Sequence, residues 1–250
     1  MAKITAGSLA IDCPDPKALA TFYAKLLGVE MRGEDAFVTP EGLEIWFQPV
    51  ENYQAPTWPT QERGQQIHLD FATDDFDAAV ALAESLGARR APDQGDHGWV
   101  VMLDPAGHPF CFVQHRDEVD GDRRLVREGG PSITLRGTYI DCPDHRALAD
   151  FYVGLLGGQV IVEPDDEYVV MVTETGRPLG FQKVEGYQAP AWPTQERGQQ
   201  MHFDFTVDDM DAAQAHAIDL GAKLVDDGQE SFHVFLDPAG HPFCLCRSGE

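Results

Sequence analysis

The stretch IHLDFATDDFDAAVALAESLGA, residues Ile67–Ala88, carries the pattern that decides the fold. Apolar and polar residues alternate at its start, which predicts a strand over 67–72. An acidic pair then precedes an apolar segment that predicts a helix over 76–86, ended by Gly87. The same pattern returns in MHFDFTVDDMDAAQAHAIDLGA, residues Met201–Ala222. The chain therefore contains a repeated strand-helix unit.

Three further blocks recur in the same order and indicate a tandem duplication. They are IDCPD from Ile11 and Ile140, QAPTWPTQERGQQIH and QAPAWPTQERGQQMH from Gln54 and Gln188, and DPAGHPFC from Asp104 and Asp237. We predict one domain over 1–116, a charged linker over 117–131 and a second domain over 132–250. Strand and helix patterns within each copy predict two βαβββ modules, an α+β class with mixed sheets.

The composition excludes several classes of partner. The chain has 250 residues and a formal net charge of -24, so a nucleic acid or an anionic membrane surface would be repelled. The first residues lack a long apolar run, and the five cysteines lack close CxxC spacing. These features predict a cytoplasmic protein with reduced thiols, and the charge leaves cationic or neutral ligands open.

Strand alternation predicts which side chains face away from the helices. His68 and Asp70 should share that face in the first copy, and His202 and Asp204 in the second. We propose the two histidines as candidate acid-base groups. The candidate ligand-binding residues are Ser8, Trp46, Gln48, Trp58, Asp70, Cys111, Tyr139, Gln182, Trp192, Asp204 and Cys244.

The motifs SLAIDCPD, HLDFATDDFDAA and DPAGHPFC, with Phe22-Tyr23 in the first helix, resemble those of the vicinal oxygen chelate superfamily. That superfamily includes glyoxalase I, bleomycin-resistance and fosfomycin-resistance proteins and extradiol dioxygenases. The resemblance is closest to small glyoxalase-like domains, present here twice. It implies that two modules curl their sheets around one cleft. Whether modules pair within a copy or across copies stays open.

The resemblance also implies positions for a metal. Taken copy by copy, these positions hold Ser8, Trp46, His68 and Cys111 in the first copy and Gly137, Gly180, His202 and Cys244 in the second. Only the histidines match the metal-binding members, so we predict no metal cofactor. The alternative is a degenerate divalent-metal site at His68/Cys111 or His202/Cys244, assisted by Asp70 or Asp204.

Two functions follow from these features. The first is metal-free binding of a small, aromatic or cationic molecule in an aromatic cleft. The second is a metal-independent or degenerate lyase or isomerase that uses His68 or His202. Copy differences at Ser8/Gly137, Ala10/Tyr139 and Trp46/Gly180 predict non-equivalent clefts, with the space at Gly180 either open or refilled by Tyr139. The chain is expected to be a pseudo-twofold monomer or a homodimer.

The nearly identical loops before His68 and His202 differ at two positions of fifteen, Thr57/Ala191 and Ile67/Met201. Other segments of the two copies differ far more, so duplication alone does not explain this identity. We predict that the loops form either a wall of the cleft or the seam between modules, and the seam is favoured. His108 and His241, next to the repeated turn, are either solvated or support the site.

Overall fold

A computed structural model describes residues 3–92, 94, 98–116, 130–162, 167–194 and 196–248. Within these residues the chain forms four successive βαβββ modules, which confirms the α+β class. The first module contains β1 Ile4–Cys13, α1 Pro16–Leu27, β2 Met31–Arg32, β3 Ala36–Val38 and β4 Glu44–Pro49. The second contains β5 Ile67–Thr73, α2 Phe76–Ser85, β6 Arg89–Arg90, β7 Trp99–Leu103 and β8 Pro109–Gln114.

The second copy repeats this order. The third module contains β9 Thr134–Cys142, α3 His145–Leu156, β10 Gln159–Val162, β11 Tyr168–Val172 and β12 Pro178–Lys183. The fourth contains β13 Met201–Val207, α4 Met210–Asp219, β14 Lys223–Asp226, β15 Phe232–Leu236 and β16 Pro242–Arg247. The two-residue strands β2 and β6 are too short to show an alternating pattern in the sequence.

The modules pair across the two copies. Sheet A has the order β14-β15-β16-β13-β1-β4-β3-β2, so it joins the first and fourth modules. Sheet B has the order β10-β11-β12-β9-β5-β8-β7-β6 and joins the second and third modules. At the centre of each sheet an antiparallel pair, β1 with β13 or β5 with β9, connects one copy to the other. Each copy thus supplies half of each sheet.

The helices start where the sequence places an aspartate. Asp15 and Asp75 cap α1 and α2 by accepting from the backbone amides of Ala18 and Ala78, and Asp144 and Asp209 do the same for α3 and α4. Helix α1 ends at Gly28, whose φ of 69° is the left-handed conformation that glycine adopts without strain.

One hydrophobic core lies between the two sheets. Tyr23 of α1 stacks on Phe47 of sheet A, at 5.9 Å between ring centroids, and lies 6.1 Å from Phe71 of sheet B. Tyr152 of α3 makes equivalent contacts with Phe181 of sheet B and Phe205 of sheet A. Because the apolar sides of both sheets share this core, the side chains at alternate strand positions point to the two outer faces.

The two nearly identical loops meet at the seam between the copies. The buried amide of Gln66 donates to the carbonyl of Gly198 at 2.9 Å and accepts from the backbone N–H of Gln200 at 3.0 Å. The side-chain amide of Gln200 donates to the backbone carbonyl of Gln54 at 3.2 Å. The repeated sequence therefore builds the hydrogen bonds that hold one copy against the other, as the seam hypothesis predicts.

We expect Gln66→Ala to lower the free energy of unfolding by about 1–3 kcal/mol, because it leaves the buried N–H of Gln200 without an acceptor. Glu62→Ala, at an exposed position of the same loop, is the matched control. It is expected to change stability by less than about 0.5 kcal/mol. Urea unfolding measures both variants, and equal effects would contradict the seam assignment.

The domain boundaries at 116 and 132 stay predictions. Residues 117–129 of the predicted linker lie outside the described residues. Within the part of the chain that the structure describes, no helix is long and apolar enough to cross a membrane.

Candidate functional site

The outer face of sheet A carries the first cluster of polar side chains, here called cleft A. Asp204 of β13 is its centre: its Oδ2 accepts from the indole Nε1 of Trp46 at 2.9 Å and from Ser8 Oγ at 3.2 Å. His202 Nε2 lies 3.6 Å from Asp204 Oδ1. Cys244, beside Asp204 on β16, completes the cluster. Cleft A therefore combines Ser8 and Trp46 of the first copy with His202, Asp204 and Cys244 of the second.

The outer face of sheet B carries the equivalent cluster, cleft B, with fewer internal hydrogen bonds. His68 Nε2 lies 3.6 Å from Asp70 Oδ1, which is too long for a hydrogen bond. Cys111 hydrogen-bonds to Asp70, yet Asp70 Oδ1 and His68 Nδ1 are buried without a hydrogen-bond partner among the residues that the structure describes. The positions of Ser8 and Trp46 are taken by Gly137 and Gly180, which have no side-chain donor.

Burial is the largest influence on the pKa values of the titratable side chains in cleft B. It raises the pKa of Asp70 to about 7, although the charge of Arg136 and the bond from Cys111 both act to lower it. It also lowers the pKa of His68 to about 4, so the imidazole is neutral near pH 7. Burial, followed by the charge of Asp70, raises the pKa of Cys111 well above its ordinary range.

The aromatic residue beside the histidine comes from a different strand in each cleft. Trp46 of β4 meets His202 edge-on at 6.0 Å between ring centroids. Tyr139 of β9 instead stacks on His68 at 5.5 Å and 20°. A Cβ added to Gly180 would lie 2.2 Å from the Tyr139 ring, so Tyr139 fills the space that Gly180 leaves open.

The remaining predicted residues lie around these clusters. Trp58 packs with Cys111 against a small apolar group of Ala91, Val101 and Leu103, separate from the main core, on the outer face of sheet B. Gln182 and Gln48 are half-buried, next to Tyr168 and Asp12 in the strand register, and Trp192 is half-buried in the loop before β13. The candidate histidines, His68 and His202, belong to different clefts.

Grouping the site residues by copy was therefore wrong. Ser8 and Trp46 lie with His202 and Cys244, and His68 and Cys111 lie with Gly137 and Gly180. Strands β13 and β5 have the same alternation of apolar and polar residues, so the sequence does not distinguish them. In the fold, β13 of the second copy pairs with β1 of the first, and β5 of the first copy pairs with β9 of the second.

The sequence reasoning missed four residues that support the histidines. In cleft A, Gln199 Nε2 lies 3.2 Å from both Asp12 Oδ1 and His202 Nδ1. In cleft B, Gln65 Nε2 donates to both oxygens of Asp141, at 3.1 and 3.0 Å, and Asp141 Oδ1 is 3.8 Å from His68 Nδ1.

The two aspartates are almost fully buried, and their pKa values are raised mainly by burial, that of Asp141 to about 7. Continuing the alternation of Ser8 and Ala10 by one step would have placed Asp12 on the cleft face.

His108 and His241, which the sequence left either solvated or supporting, are buried in the core. His108 Nδ1 pairs with Asp104 Oδ2 at 3.0 Å, and its Nε2 lies 2.9 Å from the hydroxyl of Tyr53. His241 makes the same contacts with Asp237 and Tyr187. The solvated alternative is wrong, because both rings belong to buried hydrogen-bond networks.

Comparison with known proteins identifies the family. A sequence profile described as "Glyoxalase-like domain" matches residues 8–113 and 137–246, most of both copies. The chain belongs to the glyoxalase-like domain family. This places it in the vicinal oxygen chelate superfamily. A search of curated proteins gave no significant match.

Solved structures agree with the fold. Glyoxalase I from Zea mays superposes with a TM-score of 0.65 at 14% identity, covering 98% of this chain and 93% of that one. A putative dioxygenase from Bacillus subtilis superposes with a TM-score of 0.59 at 11% identity, covering 98% of this chain and 86% of that one. At these identities the likeness concerns the fold alone.

The superfamily implies a divalent metal, and the donor chemistry fits one poorly. His68, Asp70 and Cys111 offer ligand atoms within 4.8 Å of one another, as do His202, Asp204 and Cys244. A thiol ligates as a thiolate, so a metal would have to displace the proton that burial favours on each cysteine. In cleft A, Asp204 is also already engaged by two protein donors.

Proposed function

We propose that the protein binds a small aromatic cation in a cleft of its curved sheets, without a metal. The observation that carries this proposal is Asp70 Oδ1, a buried carboxylate oxygen without a hydrogen-bond partner among the described residues. Nearly all buried polar atoms in proteins are hydrogen-bonded, so such an atom indicates a position for a donor from outside the chain. Asp70 Oδ1 is itself buried, whereas the Asp70 side chain as a whole keeps 12% of its surface exposed, so a ligand would approach from the exposed part of this side chain.

The surroundings of Asp70 favour a flat, positively charged ligand. Tyr139 and Trp58 offer aromatic surface on the same face of sheet B, and Trp99 and Tyr168 are exposed on its outer strands, β7 and β11. Aromatic rings attract cations through their π faces, and a carboxylate forms stronger hydrogen bonds with a charged donor than with a neutral one. The net charge of -24 attracts cations to the protein as a whole.

Three probes of nearly the same shape test this proposal by calorimetry at pH 8, above the pKa of about 7 of Asp70: benzamidinium, neutral benzamide and anionic benzoate. We expect benzamidinium to bind at least ~10-fold more tightly than benzamide and benzoate not to bind, because only the cation gains from the Asp70 carboxylate. Asp70→Asn should remove this preference. Equal affinity for all three probes, or a preference unchanged in Asp70→Asn, would contradict the proposal.

A second measurement tests whether the protein retains a metal ion. We expect protein incubated with zinc or nickel and then desalted to retain substantially less than one ion per chain, because a metal would have to displace the protons of the buried thiols and, in cleft A, compete with two donors to Asp204. Elemental analysis measures the content. Stoichiometric retention that is lost in Asp70→Asn would place a metal at the position proposed for the organic cation.

The alternative function is acid-base catalysis without a metal, and the pKa of Asp70 favours it. A carboxyl with a pKa of about 7 exchanges protons readily at neutral pH, whereas the pKa of His68, about 4, makes that imidazole a weak base. Under this alternative Asp70 replaces His68 as the reacting group and His68 positions it. His68→Ala should leave ligand affinity within ~2-fold in a binding protein and should lower turnover in an enzyme, because His68 positions the reacting Asp70.

A further inference from the structure

The two clefts share a plan but place their large aromatic residue on opposite strands of a parallel pair. In cleft A the register pairs Ala10 with Trp46, and in cleft B it pairs Tyr139 with Gly180. The added Cβ that would clash with Tyr139 at 2.2 Å shows that cleft B has no room for a tryptophan at residue 180 while Tyr139 is present. Each cleft therefore contains one aromatic residue at this pair of positions.

The difference between these residues determines whether the central carboxylate of each cleft accepts hydrogen bonds from side chains of the protein itself. The Trp46 indole carries an N–H that reaches Asp204 Oδ2 at 2.9 Å, and Ser8 adds a second donor at 3.2 Å. In cleft B the residue opposite Asp70 in the β5–β9 pair is Gly137, which has no hydroxyl. Within the described part of the chain, Asp70 Oδ1 is consequently left buried without a hydrogen-bond partner.

We infer that Trp46 and Ser8 are a built-in occupant of cleft A and that the chain binds one ligand, in cleft B. This inference rests on the proposed function. The indole of Trp46 is itself a flat aromatic group with one hydrogen-bond donor aimed at the carboxylate, so it matches the proposed ligand in shape and donor but not in charge. A ligand entering cleft A must break two existing hydrogen bonds to a carboxylate before making its own. Occupancy of cleft A is therefore disfavoured by at least ~10-fold relative to cleft B.

The two glycines of cleft B have the opposite effect to Ser8 and Trp46 of cleft A. Gly137 and Gly180 remove the two internal donors, while Tyr139 keeps an aromatic wall stacked on His68. We therefore assign ligand specificity to three matched positions. They are Ser8, Ala10 and Trp46 in cleft A, and Gly137, Tyr139 and Gly180 in cleft B.

Exchange of these residues between the clefts tests the inference, with benzamidinium as the probe and calorimetric stoichiometry as the readout. The unmodified chain should bind one benzamidinium. The variant Ser8→Gly, Ala10→Tyr, Trp46→Gly gives cleft A the residues of cleft B and should bind two. The reverse variant Gly137→Ser, Tyr139→Ala, Gly180→Trp should bind none. Circular dichroism and thermal unfolding establish that each triple variant is folded.

Two single variants of the unmodified clefts assign the site even if a triple variant fails to fold. Asp70→Asn should weaken the single binding event by at least ~10-fold, and Asp204→Asn should leave its affinity unchanged. Loss of binding in Asp204→Asn with retention in Asp70→Asn would overturn the inference, as would two equal sites in the unmodified chain. No binding of benzamidinium to the unmodified chain would instead overturn the proposed function itself, so the two failures are distinguishable.

Discussion

Asp70→Asn is expected to stabilise the protein, and the gain should be larger at pH 8 than at pH 5. Burial raises the pKa of this carboxyl to about 7 in the folded chain, against about 3.9 in an unfolded one. Between these values the folded state binds the extra proton, so the stability contributed by Asp70 falls as pH rises from about 4 to about 7 and is constant above. Asparagine keeps the shape without the buried charge.

The size of this effect follows from the pKa difference. Three pKa units correspond to about 4 kcal/mol, and over the window from pH 5 to pH 8 the gain of Asp70→Asn should grow by about 2–3 kcal/mol. His68 and Asp141 also titrate abnormally, but they are present in both proteins and cancel in the comparison. Urea unfolding at the two pH values measures the difference.

Asp204→Asn is the matched control for this measurement. Its carboxylate accepts from Trp46 and Ser8, so the substitution replaces charge-assisted hydrogen bonds by weaker ones and should destabilise the protein. Opposite signs for the two equivalent aspartates are the expected result. A gain for Asp70→Asn that is the same at pH 5 and pH 8 would show that its carboxyl is not held neutral by burial.

Local patterns predicted much of the fold. Alternation placed His68 and Asp70 on the outer face, and the structure confirms the strand at Ile67–Thr73 and the helix at Phe76–Ser85. The physical reason is that strand alternation and helix caps depend on neighbouring residues alone. The capping bond from Asp75 to the amide of Ala78 is an interaction of this local kind.

The pairing of modules could not be predicted in the same way. Strands β5 and β13 have nearly the same sequence, IHLDF and MHFDF, so both offer β1 an equivalent partner. The choice depends on long-range contacts, such as those of Gln66 with Gly198 across the seam. The side chains that meet in each cleft depend on this strand pairing. For this reason the sequence did not predict that Trp46 lies beside Asp204.

The network at the repeated DPAG turn gives the largest expected loss of stability. The almost fully buried Asp104 accepts four hydrogen bonds: Oδ1 from the amides of Ala106 and His108 at 2.8 and 2.9 Å, and Oδ2 from the Tyr23 hydroxyl and His108 Nδ1 at 2.9 and 3.0 Å. Asp104→Ala leaves buried donors without an acceptor. We expect the free energy of unfolding to fall by about 3–5 kcal/mol.

Two milder variants keep this prediction measurable if Asp104→Ala does not fold. Asp104→Asn retains one acceptor oxygen, and Tyr23→Phe removes one of the donors, so each should cost about 1–2 kcal/mol in urea unfolding. Glu51→Ala, at an exposed position, is the control and should change stability by less than about 0.5 kcal/mol. A loss below about 1 kcal/mol for Asp104→Ala would show that water replaces the carboxylate without penalty.

The hydrogen-bond network around Asp104 extends from the core to Asp12 of cleft A. Its loss should therefore also increase local opening of the backbone at cleft A. His108 contacts Tyr53, whose hydroxyl donates to Gln200 Oε1 at 3.1 Å, and the carbonyl of Gln200 accepts from the backbone of Asp12 at 3.0 Å. Asp104→Ala should therefore speed hydrogen exchange at the Asp12 amide more than at the amides of sheet B strands distant from the turn. Equal acceleration at both places would mean that the turn stabilises the fold uniformly and does not support the seam beside the cleft.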